Sequence, residues 1–238
     1  METKQYKIFT LFTANLLLLI FISLVFAFTF NETRLRNVSA TADNVIYAGN
    51  EKTNKVSLMI NVYWGNEYLE GMLNTLKKYN VKTTFFVGGS WCAMYPELLK
   101  RIFDEGHEIG NHGYNHKNHE HLNFEANNNE ISLCDKVVFE HIKVKMNLFA
   151  PPSGSYSNMT VKVAENLGYK TIMWTRDTVD WRDKDAEVIY NRAVKNIKSG
   201  DLILMHPTEK TAEALERIIK TINQSKLTIT TVSDTIKN

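Results

Sequence analysis

Two hydrophobic periods alternate along this chain. Residues 56–62 (VSLMINV) and 82–87 (KTTFFV) are short apolar or β-branched runs between polar segments, and they read as buried strands. Between them, Leu69, Met72, Leu73 and Leu76 recur at helical spacing, while Glu70, Lys77 and Lys78 fall outside that stripe; the pattern predicts a core-packed helix over 67–79. The same succession continues. Helices are predicted over 96–105, 125–144, 159–167, 186–197 and 212–222, and strands over 107–110, 148–150, 169–174, 202–205 and 227–230. Gly106, Gly168 and Gly200 each follow a predicted helix and precede a strand, as left-handed helix stops do. About seven strands alternating with helices imply an α/β fold with parallel strands and right-handed crossovers, either a barrel or a doubly wound sheet.

One run breaks this grammar. Residues 8–30 carry no charge, and as a helix they would span roughly 34 Å, enough to cross a bilayer. A cleaved signal has a shorter apolar region with a small-residue cleavage site close behind, and VFAFTFNE fits that poorly. The run therefore reads as a transmembrane anchor within residues 1–30, with a cleaved signal as the alternative. Lys4 and Lys7 before it balance Arg34 and Arg36 after it, so charge assigns no orientation. Residues 31–54 are polar and read as a tether, leaving 55–238 as one domain with a full core.

The 28 Lys+Arg are balanced by 26 Asp+Glu, which leaves no basic field for duplex nucleic acid, and none is expected as a partner. Cys92 and Cys134 are too few for a disulfide framework and read as buried thiols, with one bridge as the alternative. There is no Gly-x-Ser-x-Gly elbow and no P-loop, which removes serine hydrolases and phosphate-loop enzymes.

Polar residues cluster after successive strands: Trp64–Glu67, Asn111–His116, Pro151–Gly154, Asp177–Trp181 and His206. In a parallel barrel these strand ends share the face where active sites gather. Each cluster has a plain reading and a chemical one. His112 and His116, four residues apart in a turn-prone segment, can converge on one divalent ion if a helical turn holds them, or can simply be solvated. His119 and His121 are expected to be exposed, and His107 to belong to its strand. His206 at a strand end is either structural or a proton donor to a leaving group. Asp177 and Asp180 either cap a turn or orient His206. In LFAPPSGS, the amides near Ser153 suit either a Pro/Gly turn or an oxyanion site. Trp64, Tyr63 and Trp181 are aromatic candidates for a ligand-stacking surface.

Read in order, INVYWGN, HGYNH, APPSG, DTVDW and LILMH resemble the five ordered motifs of the NodB-type polysaccharide deacetylases, carbohydrate esterase family 4. The resemblance spans about residues 55–231, and INVYWGNEY and FAPPSGS are most similar to a sporulation-associated branch. It implies a distorted (β/α) barrel and extracytoplasmic, metal-dependent hydrolysis of N-acetyl groups on peptidoglycan or chitin-like sugars, with zinc the expected metal. His112 and His116 then correspond to the metal-binding histidines and His206 to the general acid. Asp180 orients that acid, Trp181 and Leu204 wall the acetyl pocket, and Ser153 supplies an oxyanion amide.

The first motif departs from the family. Where the resemblance calls for Thr-Phe-Asp-Asp, this chain has Met59, Ile60, Asn61 and Val62. Asn61 stands at the general-base position, where an amide accepts no proton near neutrality, and Val62 stands at the metal carboxylate. Ala150 replaces the arginine that pairs with the base. A third metal ligand would have to come from Asn66, Glu67 or Asp177. Two functions follow from the resemblance: a membrane-anchored de-N-acetylase facing outside the cytoplasm, or a catalytically impaired relative that binds cell-wall glycan.

Overall fold

Strand β2 (Lys55–Val62) is buried on both faces, and its alternation decides what each face does. Val56, Leu58, Ile60 and Val62 enter the larger core, together with Leu69, Met72, Leu73 and Leu76 of helix α1 (Asn66–Lys78) and Leu215, Ile218, Ile219 and Ile222 of another helix, Glu209–Gln224. Met59 enters a second cluster with Phe86, Leu148, Ala150, Ile172 and Leu202. The sheet is thus packed between helices outside and its own side chains inside, which is the layering of a barrel wall. These features come from a computed structural model, in which residues 15, 16, 18–23 and 44–237 are described.

The remaining strands are β1 (Val45–Ile46), β3 (Thr84–Val87), β4 (Glu108–Asn111), β5 (Leu148–Phe149), β6 (Lys170–Ile172), β7 (Arg176–Asp177), β8 (Leu202–Met205) and β9 (Thr228–Ile229). Every pairing is parallel, in the order β1-β6-β5-β4-β3-β2-β8-β7, with β9 joined to the start of β2. The parallel α/β expectation holds, but the count of about seven strands is corrected to nine among the described residues. The two additions are two-residue strands. Val45–Ile46 lies in the polar stretch expected to be only a tether, and Arg176–Asp177 is too polar to read as a strand. No pairing among the described residues joins β1 to β7, so the barrel is open along that seam.

The helices after α1 are α2 (Gly89–Met94), α3 (Pro96–Asp104), α4 (Phe124–Ile142), α5 (Asn158–Asn166), α6 (Ala186–Val194), α7 (Glu209–Gln224) and α8 (Val232–Thr235). Sequence periodicity missed α2 and α8, which are shorter than the window that exposes a helical stripe. The expected helix stops hold: Gly106, Gly168 and Gly200 have φ of 83, 84 and 85°. Cys92 and Cys134 are free and buried. The chain divides into residues 1–39 and 40–238. In the first unit, residues 15–16 and 18–23 are helical. No described helix is long and apolar enough to cross a membrane, and most of the 8–30 run lies outside the described residues.

A buried ion pair fastens β7 beside β8. Arg176 Nε donates to Asp201 Oδ2 at 2.6 Å, Asp201 also accepts the Lys198 N–H at 2.9 Å, and Arg176 donates further to the carbonyls of Lys195 and Asn196. Removing one partner of such a pair strands the other charge. Asp201→Ala is expected to lower unfolding free energy by about 3 kcal/mol, read from urea denaturation, whereas loss of an exposed pair such as Lys78–Glu216 is expected to matter far less.

Candidate active site

The inner-face alternation that buries Met59 carries Asn61 to the rim of the sheet, and β8 does the same for Leu204 and His206. With the loops after β4, β5, β6 and β7, these residues enclose a cavity of about 350 Å³. Asn61, Tyr63, Trp64, His112, His116, Ser153, Gly154, Trp174, Asp177, Trp181, Leu204 and His206 line it. Residues up to 145 positions apart in sequence thus meet at the C-terminal ends of parallel strands. Of the site residues expected from sequence, Asp180 stands behind the cavity rather than in its wall, and Val62, Asn66 and Glu67 are also outside the lining.

Asp180 is 4% exposed and its carboxylate is fully engaged with the His206 strand end. His206 Nδ1–H donates to Oδ1 at 2.7 Å, and Oδ2 accepts the His206 backbone N–H and the Thr211 hydroxyl, both at 2.6 Å. With Nδ1 committed, Nε2 is the ring nitrogen available to a ligand. Asp180 is aimed by a tight turn. Asp177 Oδ1 accepts the Val179 N–H at 2.8 Å, Thr178 bonds to Leu204 O, and Val179 is left at φ 52°, a left-handed conformation unfavourable for a β-branched residue. Thr211 escaped the sequence reading; its signal was the Thr208/Thr211 start of α7. Trp174 was also missed, although it directly follows a strand.

His112 and His116 meet with ring centroids 5.1 Å apart and planes at 71°. The helical turn expected between them is absent. Gly113 at φ 72° and His116 at φ 53° fold a tight loop instead, and the buried Glu130 on α4 secures it by accepting the Tyr114 and Asn115 N–H groups at 3.0 and 2.7 Å. His112 Nδ1–H donates to Ala150 O at 2.7 Å, which leaves its Nε2 toward the cavity. Burial, then the neighbouring His116, push the His112 pKa well below the ordinary imidazole value; burial also lowers His116.

His119 corrects the expectation of exposure. It is buried, with Nδ1 bonded to Asn127 Oδ1 at 2.7 Å, because α4 covers the loop that carries it. His121 is exposed as expected, and His107 is buried one residue ahead of β4.

At the β5 turn, Ser153 (φ 56°) and Gly154 (φ 66°) are both left-handed, and the amides of Gly154 and Ser155 are taken by Pro151 and Pro152 carbonyls at 3.0 Å. The Ser153 N–H is the donor of this turn that no described residue uses. Trp64 lies flat against His206, with centroids 5.9 Å apart and planes at 5°. Gly65 permits that approach: at φ 83°, a Cβ there would sit 2.0 Å from Pro207 O. Trp64 and Trp181 remain 44% and 59% exposed at the mouth, with the Arg182 guanidinium 6.0 Å over the Trp181 ring.

The three-ligand metal site that the resemblance implies does not fit these residues. His112 and His116 are correctly disposed, but Val62 is wholly buried in the helix-side core and does not line the cavity. Asn66 Oδ1 is occupied by Trp91 Nε1 at 2.6 Å, Glu67 lies outside the lining, and Asp177 lines the cavity while holding Val179. Among the described residues, no three His, Cys, Asp or Glu side chains converge as a metal site. Two imidazoles and the Asn61 amide remain, and the carboxylate of Asp177 in the same lining does not join them in a three-ligand group.

Comparison with known proteins agrees with this geometry. The polysaccharide deacetylase family matches residues 48–172. The uncharacterised YlxY of Bacillus subtilis is 41% identical over 189 residues, 79% of this chain and 59% of YlxY, so the chain spans less than two thirds of that relative. A peptidoglycan-N-acetylglucosamine deacetylase of Bacillus cereus is 35% identical over 176 residues, 71% of this chain and 82% of that protein. Among solved structures, BA3943 from Bacillus anthracis, described as a CE4 family pseudoenzyme, superposes with TM-score 0.79 at 35% identity, covering 85% of this chain and 71% of its own. A fold of parallel strands with five ordered motifs on one rim, matched over half the chain by one family and along most of it by these relatives, places this chain in the polysaccharide deacetylase family, CE4.

Proposed function

We propose that this chain is a membrane-anchored, glycan-binding member of its family in which hydrolysis of the N-acetyl amide is disabled at the first motif. The observation that carries this reading is the pair Asn61 and Val62. Asn61 lines the cavity where a base is required, and its carboxamide takes no proton. Val62 packs among Leu58, Ile60 and the residues of α1, where nothing can be ligated. General base catalysis is worth about 10²–10⁴-fold in rate, and its loss comes on top of the incomplete metal set. A mutant of BA3943 described as having restored enzymatic activity superposes with TM-score 0.80, which supports a fold of this kind remaining competent after its chemistry is lost.

The ligand is a peptidoglycan-type glycan bearing N-acetyl groups, in line with the B. cereus relative's name and with the indole faces of Trp64 and Trp181. The INVYWGNEY and FAPPSGS segments support the sporulation-associated branch. Leu16, Leu18, Leu19, Ile20, Phe21 and Ile22 are all exposed, which suits a lipid-facing anchor and a glycan-binding domain outside the cytoplasm.

A second reading, a slow zinc-dependent de-N-acetylase, is favoured by the intact Asp180–His206 pair beside His112 and His116. There His206 Nε2 would protonate the departing amine, but the attacking water would have to lose its proton without Asn61. The full-length protein in detergent decides between them. Sedimentation with peptidoglycan, acetate assays on N-acetylglucosamine oligomers and elemental analysis are expected to give binding, no acetate and sub-stoichiometric metal. Acetate release abolished by His206→Ala would establish the slow enzyme instead.

A further inference from the structure

Asn61 is 3% exposed and lines the cavity, yet its Oδ1 has no hydrogen-bond partner and no described residue bonds to its carboxamide. A buried acceptor left unpaired is destabilising, and a ligand donor at that position would remove the cost. The surroundings restrict which donor. Leu204, Trp174 and Trp181 contribute apolar wall, and Asp180 is consumed behind His206 by the ring, the backbone amide and Thr211. Asp177 holds the Val179 N–H. At the Asn61 position the cavity therefore presents a neutral amide beside apolar surface, with no carboxylate there; Asp177 lines the cavity on the β7 side.

We propose that Asn61 makes this cavity a reader of the N-acetylated state of a glycan, admitting a 2-acetamido sugar and rejecting the same sugar once its nitrogen is a free ammonium. The inference rests on the glycan-binding reading above. An acetamido group complements what the cavity offers: its N–H donates to Asn61 Oδ1, its carbonyl accepts from donors such as Asn61 Nδ2 or the Ser153 N–H, and its methyl meets Leu204 and Trp181. An ammonium brings three donors and a charge to Asn61, itself only 3% exposed, where one amide oxygen does not replace its hydration. A carboxylate at position 61 would pair with that charge, so the replacement of Asp by Asn that stops base catalysis also sets the preference for unprocessed glycan.

The test is calorimetric titration of the full-length protein in detergent with an N-acetylglucosamine oligosaccharide and with the fully de-N-acetylated oligosaccharide of equal length, at a pH where the amine is protonated. Acetate is assayed in parallel. Wild type is expected to bind the acetylated sugar at least about tenfold more tightly. Asn61→Asp is expected to shrink that preference below about threefold, and Asn61→Leu, close in volume and without polar atoms, to weaken binding of the acetylated sugar by about tenfold. Equal binding of the two sugars by wild type, or a preference unchanged in Asn61→Asp, overturns the reader role and leaves glycan binding standing. Failure to bind either sugar overturns both. Should Asn61→Asp not fold, the wild-type comparison and Asn61→Leu still decide.

Discussion

The Asn61→Asp/Val62→Asp double variant is expected to release acetate from N-acetylglucosamine oligomers at a rate about 10²–10⁴ times any residual release by wild type. Asn61 is placed on the inner face beside Leu204 and His206, so a carboxylate there enters the existing cavity. Burial raises a carboxylate's pKa toward the range a general base needs. Val62 is harder to convert, because its side chain belongs to the core between β2 and α1 and an aspartate there buries a charge among alkyl groups. Val62→Asp alone is therefore expected to lose stability without gaining turnover, and Asn61→Asp alone to fold with little activity. A double variant that unfolds at wild-type urea concentration and still releases no acetate would show that the first motif is not what silences the site.

Acidification is expected to destabilise the protein steeply below about pH 6.5. Burial is the leading cause of a lowered pKa at His107, His112, His116 and His119, and His107 is brought from 6.5 to about 4. In each case the folded value lies below the unfolded one, so the unfolded chain binds more protons once pH falls beneath the unfolded value. The stability is fully present above about pH 6.5 and is lost as pH falls toward the folded values, at up to about 1.4 kcal/mol per pH unit for each histidine. Urea denaturation at about pH 7 and about pH 5 measures the slope. His107 separates this effect from the candidate site, because it sits between Thr83 and Phe85, away from the cavity. His107→Gln should flatten the slope by close to one proton. A pH-independent midpoint across that window would mean that these imidazoles are not held neutral.

The strands and amphipathic helices were legible because a sheet buried on both faces demands unbroken apolar runs, and a helix on that sheet demands a stripe. The five polar clusters were legible because they interrupt that pattern at strand ends. Less visible were Val45–Ile46 and Arg176–Asp177, since two residues hold no period and their pairing is set by neighbours distant in sequence. His119 read as solvated because its loop is polar, whereas Asn127 and the cover of α4 take it out of water.

Residue chemistry follows from the sequence alone. Asn61 accepts no proton near neutrality and Val62 donates no electron pair in any fold, so neither could serve as the base or the carboxylate for which the resemblance calls. Tertiary structure decided what stands together. It joined His206 to Asp180 and Thr211, closed the His112–His116 loop on Glu130, left Asn61 unpartnered in the cavity and turned Val62 into the opposite core. The physical reason is that the direction of a strand residue depends on register against its partners. Register is fixed by long-range pairing and burial, which local pattern constrains but does not contain.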